Sequence, residues 1–191
     1  RLGSVFHPAL VEFKDHGWQE GRLWFAMPWY EGETLEARIR RGALTRGEAH
    51  DLFVPPPRAL ATLHAAGIRH QDVKPENIFL ARMHSSEEEV LPVLLDLGVA
   101  AKEAEMVVAG TPTYFAPEVA DQFVELGTRR RITAKSDVFS LALSLRNALE
   151  PENEESVSSA GVDAFIARRA RQAPKPFARR EVYAYENAIR L

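Results

Sequence analysis

The chain has 191 residues, 46% of them hydrophobic and 27% charged, with a formal net charge of −3 and no cysteine. That is enough chain to bury the core of one soluble globular domain. Nothing in the net charge suggests a general nucleic-acid binder, the lack of cysteine excludes disulfides and thiolate metal sites, and no apolar run approaches the ~20 residues of a membrane span. The longest such run, Val90 to Ala101, is interrupted by Pro92 and Asp96. A cytoplasmic location is the expectation. No signal-peptide pattern is present, and an opening Arg1 in place of Met reads as a piece of something longer.

In chain order, Leu10–Lys14 and Leu23–Met27 read as two strands around a turn, Asp15–Gly21, that holds two glycines. Thr34–Arg41 has the look of a short helix ended at Gly42. Thr45 is placed as a helix N-cap, with Glu48 where a capping box needs it. From Arg46 to Ala66 the apolar Leu52, Ala59, Leu60 and Leu63 recur at helical spacing. The run Pro55-Pro56-Pro57 interrupts them. Proline in a helix interior costs ~3 kcal/mol each, so the segment is expected to break, with Pro57 near the start of a second helix. Ile68–His70 leads into a loop through Asn77. Two short apolar runs follow, Ile78–Ala81 and Leu91–Leu95, with the polar Met83–Glu89 as a hairpin tip between them. Asp137–Leu149 is an apolar helix, Pro151–Ser159 a polar linker, and Val162–Arg171 and Arg180–Ile189 surface-packed helices.

The chemistry lies in His70-Gln71-Asp72-Val73-Lys74-Pro75-Glu76-Asn77. An aspartate, a lysine two residues on and an asparagine five residues on share one loop. Any one of them alone is an ordinary loop polar residue or cap. Together they precede a strand pair and Asp96-Leu97-Gly98, then Gly110-Thr111-Pro112-Thr113-Tyr114-Phe115-Ala116-Pro117-Glu118, then Lys135-Ser136-Asp137-Val138-Phe139-Ser140. Four such segments in this order are not a chance arrangement.

With these residues the chain resembles the Hanks-type serine/threonine protein kinases, firmly from about His7 to Leu149 and weakly to Leu191. Lys74, Asn77 and the Gly110-Thr111 pair match the serine/threonine branch, and the Ala- and Arg-rich texture suits a bacterial source. The resemblance implies an α+β protein-kinase-like fold, mainly a helical C-terminal lobe with a few short strands. It divides the chain into residues 1–30, a remnant of N-terminal-lobe strands and hinge, and residues 31–191, the helical lobe. It further implies ATP and Mg²⁺ as cofactors and a protein as substrate.

The resemblance assigns roles residue by residue. Asp72 takes or orients the proton of the acceptor hydroxyl, and Lys74 offsets charge on the transferred phosphoryl group. Asn77 and Asp96 supply hard oxygen ligands for Mg²⁺. Thr111 lies near Asp72 and Lys74 and shapes the acceptor site. Asp137 ties down the His70–Asp72 backbone, and Glu118 pairs with a late arginine, Arg179 being the candidate. At the hinge, Met27 flanks the adenine pocket, the Pro28 carbonyl and Tyr30 amide bond the base, and Phe79 packs beneath it. For Met27 and Phe79 the bland reading is core packing; the flanking motifs decide against it.

Four departures stand out. No glycine-rich phosphate loop and no strand lysine of the Val-Ala-Ile-Lys type precede the hinge. Gln71 stands where the family usually has arginine, and residues 97–110 contain no Ser, Thr or Tyr, so both halves of a phosphate switch are missing together. Leu97 replaces phenylalanine. Pro151–Ser159 stands where the family has a longer insert. Two readings follow: ATP-dependent phosphorylation of protein serine/threonine hydroxyls by the complete parent protein, or a kinase-like binding or scaffold module without catalysis. The retained Asp72, Lys74, Asn77 and Asp96 favour the enzyme.

Overall fold

The computed structural model describes residues 5–83, 86–97, 100–102, 109–124 and 130–175. Its first element is an antiparallel hairpin of β1 (Asp15–Gln19) and β2 (Arg22–Ala26), closed so that Gln19 faces Arg22. The second strand lies where the sequence puts it. The first does not: it occupies the expected turn, and the true turn is Glu20-Gly21. Both of those residues have positive φ, 50° and 75°, the backbone of a two-residue hairpin loop. Leu10 and Val11 go instead into the core, where Leu10 bridges Leu94 and the Val11 amide donates to the Leu94 carbonyl at 2.9 Å.

β3 (Gly32–Thr34) runs into α1 (Leu35–Ile39), which Thr34 caps by accepting the Ala37 amide at 3.1 Å. Gly32 has φ 145°, and a Cβ there would fall 2.0 Å from the Leu80 carbonyl oxygen, so only glycine lets these strands meet. α2 (Arg46–Phe53) begins with the full Thr45–Glu48 capping box. α3 (Pro55–Ala65) follows after the single residue Val54. The expected break is there, and Pro57 lies near the start of the second helix, in a first turn that opens at Pro55. All three prolines fit in its first turn, where the missing N–H groups have no intrahelical partner to lose.

β4 (Ile68–Arg69) leads through the His70–Lys74 loop and a 3₁₀ turn at Pro75–Asn77 into β5 (Ile78–Met83), and β6 (Ser86–Leu94) returns. The order in this sheet is β3-β5-β6, while β4 pairs with β7 (Ala101–Lys102). α4 (Pro117–Ala120), α5 (Lys135–Leu149) and α6 (Gly161–Arg171) complete the described elements. The α5 helix is buried along almost its whole length. Its core-facing serines Ser136, Ser140 and Ser144 return their hydroxyls to the carbonyls of Thr133, Ser136 and Ser140, which satisfies them without water. The expected helix Arg180–Ile189 lies outside the described residues. No helix among the described residues is long and apolar enough to cross a membrane.

Glu48 gives the fold an acid-sensitive point. The Thr45 backbone N–H and then the Arg38 guanidinium hold its carboxyl far below the usual range, at about 2. A carboxyl whose folded value is depressed stabilises the native state above its unfolded value, and that contribution is lost as pH falls through the folded one. The stability added by Glu48 is thus complete above pH 4.5 and fades toward pH 2. Thermal melts should show Glu48→Ala clearly less stable than the parent sequence at neutral pH and nearly equal to it at about pH 2. A deficit of the same size at both pH values would refute the linkage.

Candidate functional site

The site is built on a carboxylate from the first turn of α5. Asp137, 1% exposed, accepts the His70 amide through Oδ2 and the Gln71 amide through Oδ1, each at 2.8 Å. His64 of α3 meets Oδ2 at 2.8 Å as well. Two backbone donors that leave the sheet after β4 are thereby satisfied by one buried acceptor. The Gln71 backbone is left-handed there, with φ 72°.

His70 is fully buried, and its Nε2 lies 2.9 Å from the Leu95 carbonyl oxygen. A carbonyl only accepts, so Nε2 carries the proton and Nδ1 is free to accept the Asp72 amide at 3.4 Å. Burial pushes the imidazole below its ordinary value, against the opposing pull of Asp137, the Leu95 carbonyl, Asp72 and Asp96. With Nε2 bonded to Leu95 and Nδ1 to Asp72, the ring joins the loop to the residue preceding Asp96.

Around Asp72 the side chains touch directly. Thr111 donates its hydroxyl to Asp72 Oδ1 at 2.8 Å, and Lys74 Nζ reaches Asp72 Oδ2 at 2.9 Å and Thr111 Oγ1 at 2.6 Å. The Asn77 amide nitrogen donates to the Asp72 carbonyl at 2.8 Å and to Oδ2 at 3.0 Å. Thr111 gets this close because Gly110, at φ 115°, lies against the loop. A Cβ on Gly110 would fall 2.4 Å from the Gln71 carbonyl oxygen.

Asn77 spends its NH₂ on Asp72, so its Oδ1 is the end left for a ligand. Asp96 lies beside it: the Leu95 amide donates to the Asn77 carbonyl at 2.8 Å, one step beyond the Ile78–Leu94 pair of β5 and β6. Asp96 is exposed, with φ 55°. Among the described residues no group of three or more His, Cys, Asp or Glu could hold a metal ion by itself. One neutral and one anionic hard oxygen suit Mg²⁺, which keeps several waters and takes further ligands from phosphates.

Met27, Pro28, Trp29, Tyr30, Phe79 and Leu95 line an open cleft of ≈ 570 Å³. The Tyr30 and Phe79 rings stand 6.3 Å apart. Leu95 belongs to both regions, so this cleft opens beside Asn77 and Asp96.

The expected partner of Glu118, Arg179, lies outside the described residues, and among the described residues Glu118 forms no ion pair. A different buried pair supports this part of the chain. Arg169 donates to Glu155 at 2.8 Å and to the Phe115 carbonyl at 3.2 Å. Its guanidinium lies 5.3 Å from the Phe165 ring and 5.7 Å from that of Phe139. Burial lowers the Arg169 value, with Glu155 opposing. Burial alone would raise that of Glu155, but the Lys175 amide and Arg169 outweigh it and hold the carboxylate below its ordinary range. Next to it, Tyr114 donates its hydroxyl to Glu154 at 2.9 Å. The polar linker thus grips the Thr111–Phe115 wall from below. Sequence reading missed Arg169 and Glu155; the available signal was an arginine on the buried face of α6, in register with Phe165, Ile166 and Ala170.

The protein kinase domain family matches residues 2–168. The serine/threonine-protein kinase PknJ of Mycobacterium tuberculosis is 29% identical over 174 residues, covering 88% of this chain and 28% of that protein. The serine/threonine-protein kinase pkn2 of Myxococcus xanthus is 32% identical over 151 residues, 74% of this chain and 17% of that protein. The serine/threonine-protein kinase STE20 of Saccharomyces cerevisiae is 30% identical over 151 residues, 76% of this chain and 15% of that protein. The chain therefore spans less than a third of the length of these relatives. On the extent of that match and its α+β architecture, the chain belongs to the protein kinase domain family.

Proposed function

We propose that the protein containing this chain transfers the terminal phosphoryl group of ATP to serine or threonine hydroxyls of a protein substrate, with Mg²⁺. The observation that carries this reading is the closed hydrogen-bonded set of Asp72, Lys74, Asn77 and Thr111, with Asp96 held beside Asn77 through Leu95. Mg²⁺·ATP supplies the transferable phosphoryl group; the protein supplies position and charge. Asp72 receives the proton of the acceptor hydroxyl as that oxygen bonds to phosphorus. Lys74 balances the charge on the moving group, and Thr111 keeps Lys74 and Asp72 in register. Asn77 Oδ1 and the Asp96 carboxylate would hold the metal. Met27 and Phe79 would enclose the adenine, with the Pro28 carbonyl and the Tyr30 amide on its edge.

On this reading residues 1–30 are the hinge side and residues 31–191 the helical lobe of the catalytic domain. Use of ATP suits a cytoplasmic domain. Gln71 is neutral, and residues 97–110 offer no hydroxyl, so activity does not wait for a phosphate in that segment.

Two experiments test the reading in the complete protein. Asp72→Asn keeps the shape of the side chain, so melting behaviour should hold while kcat falls about 10²–10⁴-fold, the usual worth of a positioned base. Unchanged turnover would remove Asp72 from that role. The protein should also be fully active, without a lag, after phosphatase treatment verified by mass spectrometry. Activity that returns only when a phosphate is added between Leu97 and Glu118 would refute the independence from phosphorylation.

A further inference from the structure

Beyond Thr111 the chain passes through the Pro112–Tyr114 turn to Pro117 and Glu118 at the start of α4, and these two residues border an open cleft of ≈ 820 Å³. Its described rim is cationic. Arg130 and Arg131 come from the segment before α5, Lys135 is the first residue of α5, and Arg171 is the last residue of α6. Glu118 is the one acidic residue among the described lining, so four positive charges face one negative. This local excess sits on a chain of net charge −3.

The pairing pattern separates these cations from the others. Arg38, Arg40, Arg41 and Arg169 each meet a carboxylate. Among the described residues, Arg130, Arg131, Lys135 and Arg171 form no ion pair with one. Arg130 is nonetheless held in place: its guanidinium donates to the Ala170 carbonyl at 2.8 Å and its amide to Asp121 at 3.1 Å. Phe139 and Pro117 supply an apolar floor. The charged heads are exposed and come from separate segments. They do not converge in an enclosed pocket, and that arrangement suits an extended chain with several carboxylates better than a compact ion.

Distance ties the cleft to the acceptor site. Pro117 is six positions beyond Thr111, and a chain spans at most ~3.3–3.6 Å per residue, so the cleft edge lies within about 20 Å of Thr111. We propose that the cleft docks an acidic segment of the protein substrate, about six residues or fewer from the hydroxyl to be phosphorylated. Only the activity part of this proposal rests on the kinase reading above; the binding part does not.

The test uses the complete protein and a fluorescent peptide with alanine at the acceptor position and glutamates six residues away. Fluorescence anisotropy should show binding that is lost when those glutamates become glutamines. It should weaken steeply as ionic strength rises from about 0.1 M to about 1 M, where the screening length shortens from ~10 Å to ~3 Å. The doubly substituted Arg131→Glu/Lys135→Glu protein should bind about tenfold more weakly, with an unchanged melting curve because both residues are exposed. With a serine-containing peptide, the same variant should raise KM by a similar factor and leave kcat alone. Equal binding of the glutamate and glutamine peptides, no effect of the double substitution, or equally tight competition by RNA would overturn the proposal. Charge-dependent binding without phosphorylation would uphold the docking site and count against the kinase reading instead.

Discussion

One buried carboxylate organises the site. Asp137 sits in the first turn of α5 at 1% exposure and takes the amides of His70 and Gln71 while contacting His64. A buried ionised group is costly unless its lone pairs are filled, and here three neighbours fill them. The loop in return gains a fixed conformation it could not keep alone, including a left-handed Gln71. With that backbone fixed, His70 can reach Leu95, Gly110 can lie against the Gln71 carbonyl, and Thr111 can reach Asp72. Replacing the acceptor with an apolar residue would strand two backbone donors and loosen contacts that lie several residues away.

The parts of this arrangement that could be read in the sequence are those where chemistry fixes local spacing. Asp72, Lys74 and Asn77 lie on one loop, and their order in the chain already implies a common cleft. The Thr45–Glu48 box is equally local, as is the break at the prolines. The second strand of the hairpin is legible, but the first is not, because Leu10 and Val11 have the apolar character of a strand yet satisfy it by packing beside Leu94 in the core. The strand that forms, Asp15–Gln19, is largely exposed and carries no alternating pattern. Its turn depends on positive φ at Glu20, which residue type does not announce. Arg169 and Glu155 were missed for a related reason. Each looks like a surface charge until α6 and the linker come together, and fourteen positions separate them in the chain.

The linker after α5 carries more than its composition suggests. Glu154 and Glu155 are adjacent, and they serve different neighbours: Tyr114 for the first, Arg169 and the Lys175 amide for the second. Arg146 adds a bond to the Asn153 carbonyl. A short polar segment thereby buttresses the wall that ends in Pro117, which is also an edge of the cationic cleft. The Thr111–Phe115 segment and the cleft share one support, and shortening or neutralising the linker would disturb both.

Leu95 has a consequence of a different kind. It lines the cleft of Met27, Tyr30 and Phe79, its amide is held by Asn77, and its carbonyl holds His70. One residue is thus a hinge pin between the compartment that would receive a flat ring and the pair of oxygens that would receive a cation. A compound that pressed on Leu95 would not need to touch Asn77 or Asp96 to shift them, since the shift would pass through two backbone hydrogen-bonding groups of a single residue. Escape from such a compound by enlarging or reshaping Leu95 would carry a built-in penalty, because the change that closes the cleft also moves the anchor of His70.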